Sequence, residues 1–371
     1  MIVSEMDLSA FRKKDCNKIK DYIKNLICNF FVAFKTKKCV AIPRKKIYYS
    51  SKSNFAFGKI SCKFFLFALD FLLEKEYVSE KIGYKAFGDN QRCRTSKYWA
   101  TKKLYSHFQN IDSDAIFTIL PPEIILKDRN KKIVDFKLTP ELKKLKRTIR
   151  GINNLYAGTD IRTIITDERN TTRLFPHLTA IYNNNSWSEG GRLYSTLYRG
   201  TYSYQTLSKE ERKRITINLN PTVELDYSCL HLTMLYAKCG QTPMANPYGF
   251  DTCRELAKKA ILVLLNAATE KAAVKALNSE YQHTVDFRPI VAAAKQYHAP
   301  IKEFFGSGIG LKLQNEDGKM ALAIVDYFCK QGIVCLPVHD SFIIAKKHAD
   351  KLREVMQAEF VGRYGITIGI H

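Results

Sequence analysis

Two aspartates lie where a short β-rich segment ends, a position that suits a metal-binding carboxylate. Asp226 follows residues 222–225 and precedes an apolar run with helical spacing, which predicts a strand and then a helix. Asp340 lies with His339 between two β-rich runs, which predicts a hairpin with both residues at its turn. Each aspartate taken alone is better explained as a helix cap or a turn residue. If the two converge on one sheet, however, they can hold a pair of divalent metal ions.

A basic helix is predicted between these aspartates, over residues 251–266, with Asp251 or Thr252 as its cap. Arg254 and Lys258 are four residues apart, so they share one face near the helix N-terminus. The helix dipole, a guanidinium and an ammonium group all attract phosphate oxygens, and this face therefore suits a triphosphate. Solvent exposure without a ligand is the alternative for such a pair.

Three segments resemble, in order and content, motifs A, B and C of the DNA polymerase family A superfamily. This superfamily includes bacterial repair polymerases and the single-subunit phage and mitochondrial RNA polymerases. The matching residues are Asp226-Tyr-Ser for motif A, Arg254-x-x-x-Lys258 for motif B and Val338-His-Asp340 for motif C. Upstream, residues 190–195 resemble the family's Gly-Arg-Leu segment, which lies near the primer-template duplex. The resemblance covers residues 165–371 and leaves residues 1–150 unassigned.

The resemblance implies a right-hand palm with a reduced fingers region that adds nucleotides under the direction of a template. Two Mg²⁺ ions, with Mn²⁺ as a substitute, would be held by Asp226, Asp340 and the backbone carbonyl of Tyr227. One ion would lower the pKa of a primer 3′-hydroxyl, and the other would neutralise the triphosphate and its leaving group. The resemblance assigns the incoming nucleotide to Arg254 and Lys258 with positions His231, Leu262 and Asn266, and the primer-template to Arg192 and His339.

Three positions depart from the family pattern and leave the nucleotide sugar open. DNA polymerases of the family have a glutamate where this chain has His231, and aromatic residues where it has Leu262 and Asn266. Motif C reads His-Asp-Ser as in the RNA polymerases, whereas motif A is closer to the DNA polymerases. The match of motif A favours a small DNA-dependent DNA polymerase. No set of His, Asp and Glu residues before residue 165 resembles an exonuclease domain, so proofreading is not expected. A single-subunit RNA polymerase or primase-like enzyme is the alternative.

The first 150 residues carry most of the positive charge, with 33 Lys and Arg against 15 Asp and Glu. Helical spacing over residues 62–77, a hairpin and a basic segment follow one another, which is the order of a winged-helix module. A solvated basic face on a small α+β domain fits the same residues. The candidate DNA contacts in this segment are Arg92, Arg94, Lys97, Lys102 and Lys103. A further basic helix, predicted to begin at Thr139-Pro140, would lie along a duplex or serve as a linker.

Composition narrows the class of protein. The net charge of +23 predicts a polyanionic partner, with nucleic acid first and a membrane surface second. The apolar runs at 26–34 and 64–73 are too short to cross a bilayer, so no membrane partner is expected. The ten cysteines include no C-x-x-C pair, which argues against a zinc site and favours reduced thiols in the cytoplasm.

The sequence therefore predicts an α+β protein in two parts: a basic, winged-helix-like region over residues 1–150 and a polymerase palm with reduced fingers over 151–371. Its partners would be primer-template DNA and nucleoside triphosphates. A palm-fold DNA-binding replication protein without catalysis is a second hypothesis. A two-metal nuclease ranks last, because it leaves Arg254 and Lys258 without a role.

Overall fold

A computed structural model of the chain describes residues 2–35, 39–44, 49, 60–83, 95–108, 121–164, 171–174, 176–195 and 203–371. It is a mixed helix and strand protein that forms two compact units, Met1–Pro122 and Glu123–His371. The division predicted near residue 150 falls inside a helix of the second unit, which begins at Glu123 instead. Arg92 and Arg94, two of the predicted DNA contacts, lie outside the described residues. None of the described helices combines the length and apolar character needed to span a membrane.

The first unit packs helices against a three-stranded antiparallel sheet of order β1-β3-β2. Its described elements are α1 (Lys13–Lys35), β1 (Val40–Ala41), α2 (Cys62–Glu74), β2 (Val78–Lys81), β3 (Lys97–Ala100) and α3 (Lys102–Ser106). Helix α2 and the two strands after it follow the order that the sequence predicts. The apolar side chains of α1 and α2 meet the inner face of the sheet, where Tyr98 is fully buried.

The second unit contains eight α-helices among its described residues. These are α4 (Pro140–Ala157), α5 (Lys209–Arg212), α6 (Leu230–Lys238), α7 (Arg254–Asn266), α8 (Glu270–Glu280), α9 (Phe287–Tyr297), α10 (Gly310–Cys329) and α11 (Ala349–Tyr364). Helix α4 begins as predicted, because the Thr139 side chain accepts a hydrogen bond from the Leu142 N–H and Pro140 follows at the first position.

Two sheets share the second unit. The strands are β4 (Ile124–Lys127), β5 (Ile133–Val134), β6 (Ile161–Ile164), β7 (Thr171–Arg173), β8 (Leu178–Asn183), β9 (Ser186–Ser195), β10 (Thr216–Ile217), β11 (Asn220–Asp226), β12 (Cys335–Val338) and β13 (Ser341–Ala345). One sheet has the order β12-β13-β11-β10-β6-β7 and is antiparallel throughout. The other has the order β5-β4-β8-β9, in which only β4 and β8 are parallel.

Helix α7 starts later than the sequence predicts. It begins at Arg254, and the residue at its N-cap is Cys253, which makes no side-chain capping bond. The prediction that Asp251 or Thr252 caps the helix is therefore wrong. Burial of the apolar face of α7 stabilises the helix enough that a good cap is not required.

Candidate active site

The register of three strands brings the two aspartates together. Asp226 is the last residue of β11 and lies opposite Ser341 of β13. Asp340 directly precedes Ser341, in the two-residue turn between β12 and β13. The Tyr227 N–H approaches the carbonyl oxygen of Asp340, with an N···O distance of 3.4 Å. Two aspartates from distant parts of the chain thus lie close together at one end of the six-stranded sheet, as the sequence predicts.

The surroundings of Asp226 disfavour its negative charge. Burial, and then the neighbouring charge of Asp340, raise the pKa of the Asp226 carboxyl to about 6. Its Oδ1 atom is buried and has no hydrogen-bond partner among the described residues. A buried carboxylate oxygen without a donor is costly unless a cation satisfies it. The aspartate pair therefore fits a divalent cation, whose charge would offset both unfavourable effects.

Residues 369–371 run antiparallel to the end of β11 and extend the sheet beside Asp226. The Asp226 N–H donates to the His371 carbonyl oxygen at 2.8 Å, and the His371 N–H donates back to the Asp226 carbonyl at 3.1 Å. The Ser228 N–H donates to the Gly369 carbonyl at 2.8 Å, and Ser228 Oγ lies 3.0 Å from His371 Nδ1. These bonds fix the backbone that carries Asp226.

The turn residue His339 adopts an unfavourable backbone conformation, with a φ of +58°. A two-residue hairpin favours positive φ, and a residue other than glycine accepts it at a cost of about 1 kcal/mol. The His339 Nδ1 atom is buried without a hydrogen-bond partner in the described part of the chain, and the ring packs edge-on against Tyr194. Burial, and then the positive charge of Arg192, lower the pKa of His339. The imidazole beside Asp340 is therefore neutral at pH 7.

A third carboxylate near the pair, that of Glu224 on β11, already has hydrogen-bond partners. Arg212 donates to its two oxygens at 2.9 and 3.0 Å, and Ser341 Oγ donates at 2.7 Å. Across the described ranges, no group of three or more His, Cys, Asp and Glu side chains is arranged to hold a metal. A metal between Asp226 and Asp340 would take its remaining ligands from backbone, water and substrate phosphates, as Mg²⁺ commonly does.

A buried ion network joins β9, α6 and α10 close to the aspartate pair. Asp317 of α10 has a side chain that is only 1% exposed. It accepts hydrogen bonds from Arg192, whose Nε lies 2.9 Å from both carboxylate oxygens, and it lies 2.8 Å from Nε2 of His231. Burial lowers the pKa of Arg192, but Asp317 outweighs it and the net shift is upward, with a contribution from Asp340. Arg192 therefore remains a cation within electrostatic range of Asp340.

Two glycines shape β9 immediately before Arg192. Gly190 and Gly191 have φ values of +74° and +89°. The register of β8 against β9 shifts at this point. A Cβ atom on Gly190 would lie 2.8 Å from the carbonyl oxygen of Ile181, so only glycine fits there. An irregularity of this kind redirects the side chain that follows it, which here brings Arg192 to Asp317.

The four α7 residues that the sequence assigns to the nucleotide occupy one exposed face of the helix. They are Arg254, Lys258, Leu262 and Asn266, each four residues after the last. The opposite face of α7 is buried in the core. The Asn266 side chain donates to the Leu262 carbonyl oxygen, and among the residues that the structure describes no hydrogen bond or ion pair joins Lys258 or Asn266 to the aspartates. The structure thus gives these residues a shared face, and their nucleotide role stays a prediction.

Tyr248 contacts Arg254 and was missed by the sequence reasoning. The Arg254 guanidinium lies over the Tyr248 ring, 5.3 Å from its centroid. Burial raises the pKa of Tyr248, followed by a hydrogen bond with Cys229 and a contribution from the charge of Asp340. Cys229 lies only three positions after Asp226. The tyrosine therefore contacts Arg254 at the α7 N-terminus and lies within electrostatic range of Asp340.

The lysines predicted as DNA contacts are at the surface of the first unit. Lys97 and Lys102 are exposed. Lys103 is engaged within the unit, because its Nζ donates to the Lys75 carbonyl oxygen at 2.9 Å and lies 4.7 Å from the centroid of the Tyr77 ring. Lys97 and Lys102 are therefore the described candidates for a contact with phosphate, and this role stays a prediction.

Three features of the site have only weak signals in the sequence. Asp317 lies in the middle of an amphipathic helix, where an acidic residue usually faces water. Tyr248 lies in an irregular segment between two helices. Residues 369–371 are too short to show a strand period. The Gly190-Gly191 pair was the one local signal for an irregular backbone next to Arg192.

Comparisons with known proteins define no family. No protein-family model matches the chain, and no curated protein matches it. Among solved structures, the chain is similar to the POL domain of Pol1 from M. smegmatis in complex with DNA primer-template and dNTP, at 12% identity and a TM-score of 0.33. The match covers 62% of this chain and 50% of that chain, so this chain matches only half of it. A similarity this distant carries no argument about the fold or the activity of this chain.

Proposed function

We propose that this chain is a template-directed nucleotidyltransferase, a small DNA-dependent DNA polymerase with a palm of the family A type. The observation that supports this most is the pairing of Asp226 with Asp340 at the end of an antiparallel sheet. The Oδ1 atom of Asp226 is buried and has no hydrogen-bond partner among the described residues, so a bound cation would stabilise the pair. The face of α7 that carries Arg254 and Lys258 would attract a triphosphate. A nuclease that used the same two carboxylates would not need this face.

In this proposal, Asp226, Asp340 and the Tyr227 carbonyl hold two Mg²⁺ ions, and Mn²⁺ can replace them. When bound, the ions would lower the pKa of a primer 3′-hydroxyl and neutralise the charge of the triphosphate. The bonds to residues 369–371 and the β11–β13 register keep the carboxylates in place without any metal. That preorganisation avoids rearranging the chain during each cycle.

The chain's own cations would bind the substrates. Arg254 and Lys258 attract the triphosphate, and the ring of Tyr248 limits the orientations of the Arg254 guanidinium. Arg192, paired with Asp317, and the neutral imidazole of His339 would contact the primer-template near Asp340. The first unit, with its positive charge, would add a nucleic-acid-binding module.

Primer extension with magnesium tests the proposal. We expect Asp226→Asn and Asp340→Asn each to lower the extension rate by at least about a hundredfold, since each removes a metal ligand. The double variant should lose little more than either single variant, because the two residues act as a unit. Asp350→Asn, which changes an exposed carboxylate on α11, is the matched control and should extend primers normally.

The same assay decides the substrate. His231, held by Asp317, occupies the position at which the resemblance predicts a residue that selects the sugar. Extension is therefore compared with dNTPs and NTPs, on DNA and RNA templates, with and without a primer. Wild-type rates in both aspartate variants would refute the proposed site. Tight, salt-dependent DNA binding without incorporation under any condition would instead identify a palm-fold binding protein.

A further inference from the structure

The exposed face of the three-stranded sheet in the first unit places two like charges opposite each other. Lys81 of β2 and Lys97 of β3 are antiparallel partners, so they point to the same side, and both are exposed. Like charges in this arrangement destabilise paired strands. The neighbouring carboxylate of Glu80 cannot relieve the repulsion, because it faces the other side and binds Tyr98 and Arg44. An anion on the exposed face would relieve it.

A tryptophan shares this face with the two lysines. Trp99 lies two residues after Lys97 on the central strand and opposite Ser79 of β2, so its ring points outward. It is 36% exposed, a large area for an indole ring. We call the surface formed by Ser79, Lys81, Lys97 and Trp99 the outer sheet face. An aromatic ring flanked by lysines offers stacking for a base and ion pairs for the phosphates beside it.

The exposed side of α2 is much less suited to nucleic acid. In a winged-helix module, the helix before the hairpin would enter the major groove. The exposed residues of α2 are Lys63, Asp70 and Glu74, which carry a net negative charge. Asp70 also binds Arg44 at 2.7 Å and so removes a cation from the surroundings. Phosphates would be repelled from this helix and attracted to the outer sheet face.

We propose that the outer sheet face binds single-stranded nucleic acid, with one base stacked on Trp99 and the adjacent phosphates paired with Lys81 and Lys97. Single strands are favoured because the bases of a duplex stack on each other and offer no free ring face. This binding requires neither a metal ion nor a nucleotide. It is therefore independent of the polymerase activity proposed for Asp226 and Asp340.

Tryptophan fluorescence gives a direct test, because the chain has only two tryptophans. The other, Trp187, packs against Phe136 and Tyr182 in the second unit, and Trp187→Phe would leave Trp99 as the single reporter. Oligothymidine is titrated into this full-length variant without magnesium or nucleotides. We expect saturable quenching of Trp99. In the wild-type background, Trp99→Leu should weaken binding roughly 5- to 150-fold, and Trp99→Phe should weaken it less.

The lysines are tested by the dependence of affinity on salt. Lys97→Ala should make the slope of log K against log salt shallower by about 0.7, as expected for one lost phosphate contact. Lys63→Ala on α2 is the matched control and should leave affinity and slope unchanged. Circular dichroism verifies that each variant folds. If Trp99→Leu does not fold, the proposal is judged from the quenching of Trp99 fluorescence and from the affinity of Trp99→Phe.

Three results would overturn the proposal. The first is unchanged Trp99 fluorescence at saturating oligothymidine. The second is an equal affinity for oligothymidine of the wild-type protein and the folded Trp99 variants. The third is tighter binding of a duplex that depends on Lys63 and not on Lys97, which would assign the contact to α2.

Discussion

At the scale of single residues, Asp317 balances the positive charge that Arg192 carries inside the protein. Its carboxylate is the partner of the guanidinium and also contacts His231, and all three side chains are at least largely buried. A buried ion pair adds little net stability, but removal of one partner leaves an uncompensated charge. The network therefore fixes the position of Arg192, the side chain proposed to contact the primer-template.

Replacement of Asp317 by asparagine should therefore be costly although the two side chains have the same shape. We expect Asp317→Asn to lower the free energy of unfolding by about 3 to 5 kcal/mol, measured by urea denaturation. Asp326→Asn on the same helix is the control, since Asp326 pairs with an exposed lysine, Lys330, and should cost less than about 1 kcal/mol. Equal losses in the two variants would contradict the role of the network.

His298 should make stability depend on pH. The imidazole is fully buried. Its Nε2 lies 2.8 Å from the Pro247 carbonyl oxygen, which can only accept, so Nε2 donates. Nδ1 then accepts a hydrogen bond from the Tyr236 hydroxyl at 2.9 Å. This pattern requires the neutral ring, and burial lowers the pKa of His298 below its ordinary value of 6.5. The unfolded chain takes up the proton first, so this stability is present above pH 6.5 and is lost as the pH falls.

The comparison with His298→Gln isolates this effect. We expect the difference in unfolding free energy between wild type and variant to shrink below pH 6.5. The decrease can reach about 1.4 kcal/mol for each pH unit, the limit for one proton. A difference that stays constant from pH 8 to pH 5 would show that His298 does not titrate on unfolding.

At the scale of elements, the packing of α10 against β9 positions the ion network. Gly318 of α10 lies against the backbone of β9, and a Cβ atom there would lie 2.7 Å from the Gly191 carbonyl oxygen and 3.0 Å from the Arg192 nitrogen. Asn315, one turn earlier, donates to the carbonyls of Trp187 and Gly190 at 3.0 Å. The helix and the strand can approach this closely only because position 318 has no side chain.

Gly318→Ala tests this contact. Alanine favours a helix by about 1 kcal/mol over glycine, but here it must push α10 away from a backbone that cannot rotate aside. We expect a net loss of about 1 to 3 kcal/mol in unfolding free energy, with a lower primer-extension rate because Arg192 and Asp317 separate. Gly362→Ala in α11 is the matched control: nothing lies within 4 Å of its Cβ position, and it should stabilise the protein. Stabilisation by both changes would contradict the proposed contact.

At the scale of the whole molecule, each unit has its own hydrophobic core. The buried cluster of the first unit contains residues between 2 and 108, and that of the second contains residues between 124 and 368. A compact unit with a core of this kind can fold alone. The catalytic residues proposed above all belong to the second unit.

Residues 123–371 expressed alone should therefore fold. We expect a single cooperative thermal transition for this fragment, and primer extension that requires Asp226, with weaker binding of single-stranded oligonucleotides than the full chain shows. Calorimetry, extension assays and oligothymidine titration measure the three quantities. A fragment that binds a hydrophobic dye and melts without cooperativity would show that the first unit is needed for folding.

The sequence by itself determined the elements that carry the proposed catalytic residues. The strand that ends at Asp226, the hairpin with His339 and Asp340 at its turn, and the cap at Thr139 all depend on neighbours within a few residues. The shared face of Arg254 and Lys258 follows in the same way from the helical period. The hydrophobic period of a helix or strand and the residue preferences of turns depend on residues that are adjacent in the chain. These features can therefore be predicted without a structure.

Only the tertiary structure decided which of these elements meet and what surrounds them. Arg192 and its partner Asp317 are 125 residues apart, and Asp226 is held by His371 from the far end of the chain. The weak cap at Cys253 and the division before Glu123 likewise depend on packing. Burial and electrostatic surroundings arise from contacts between distant residues. For that reason the position of each aspartate could be predicted, but not the shifted pKa of Asp226 or its unpartnered oxygen.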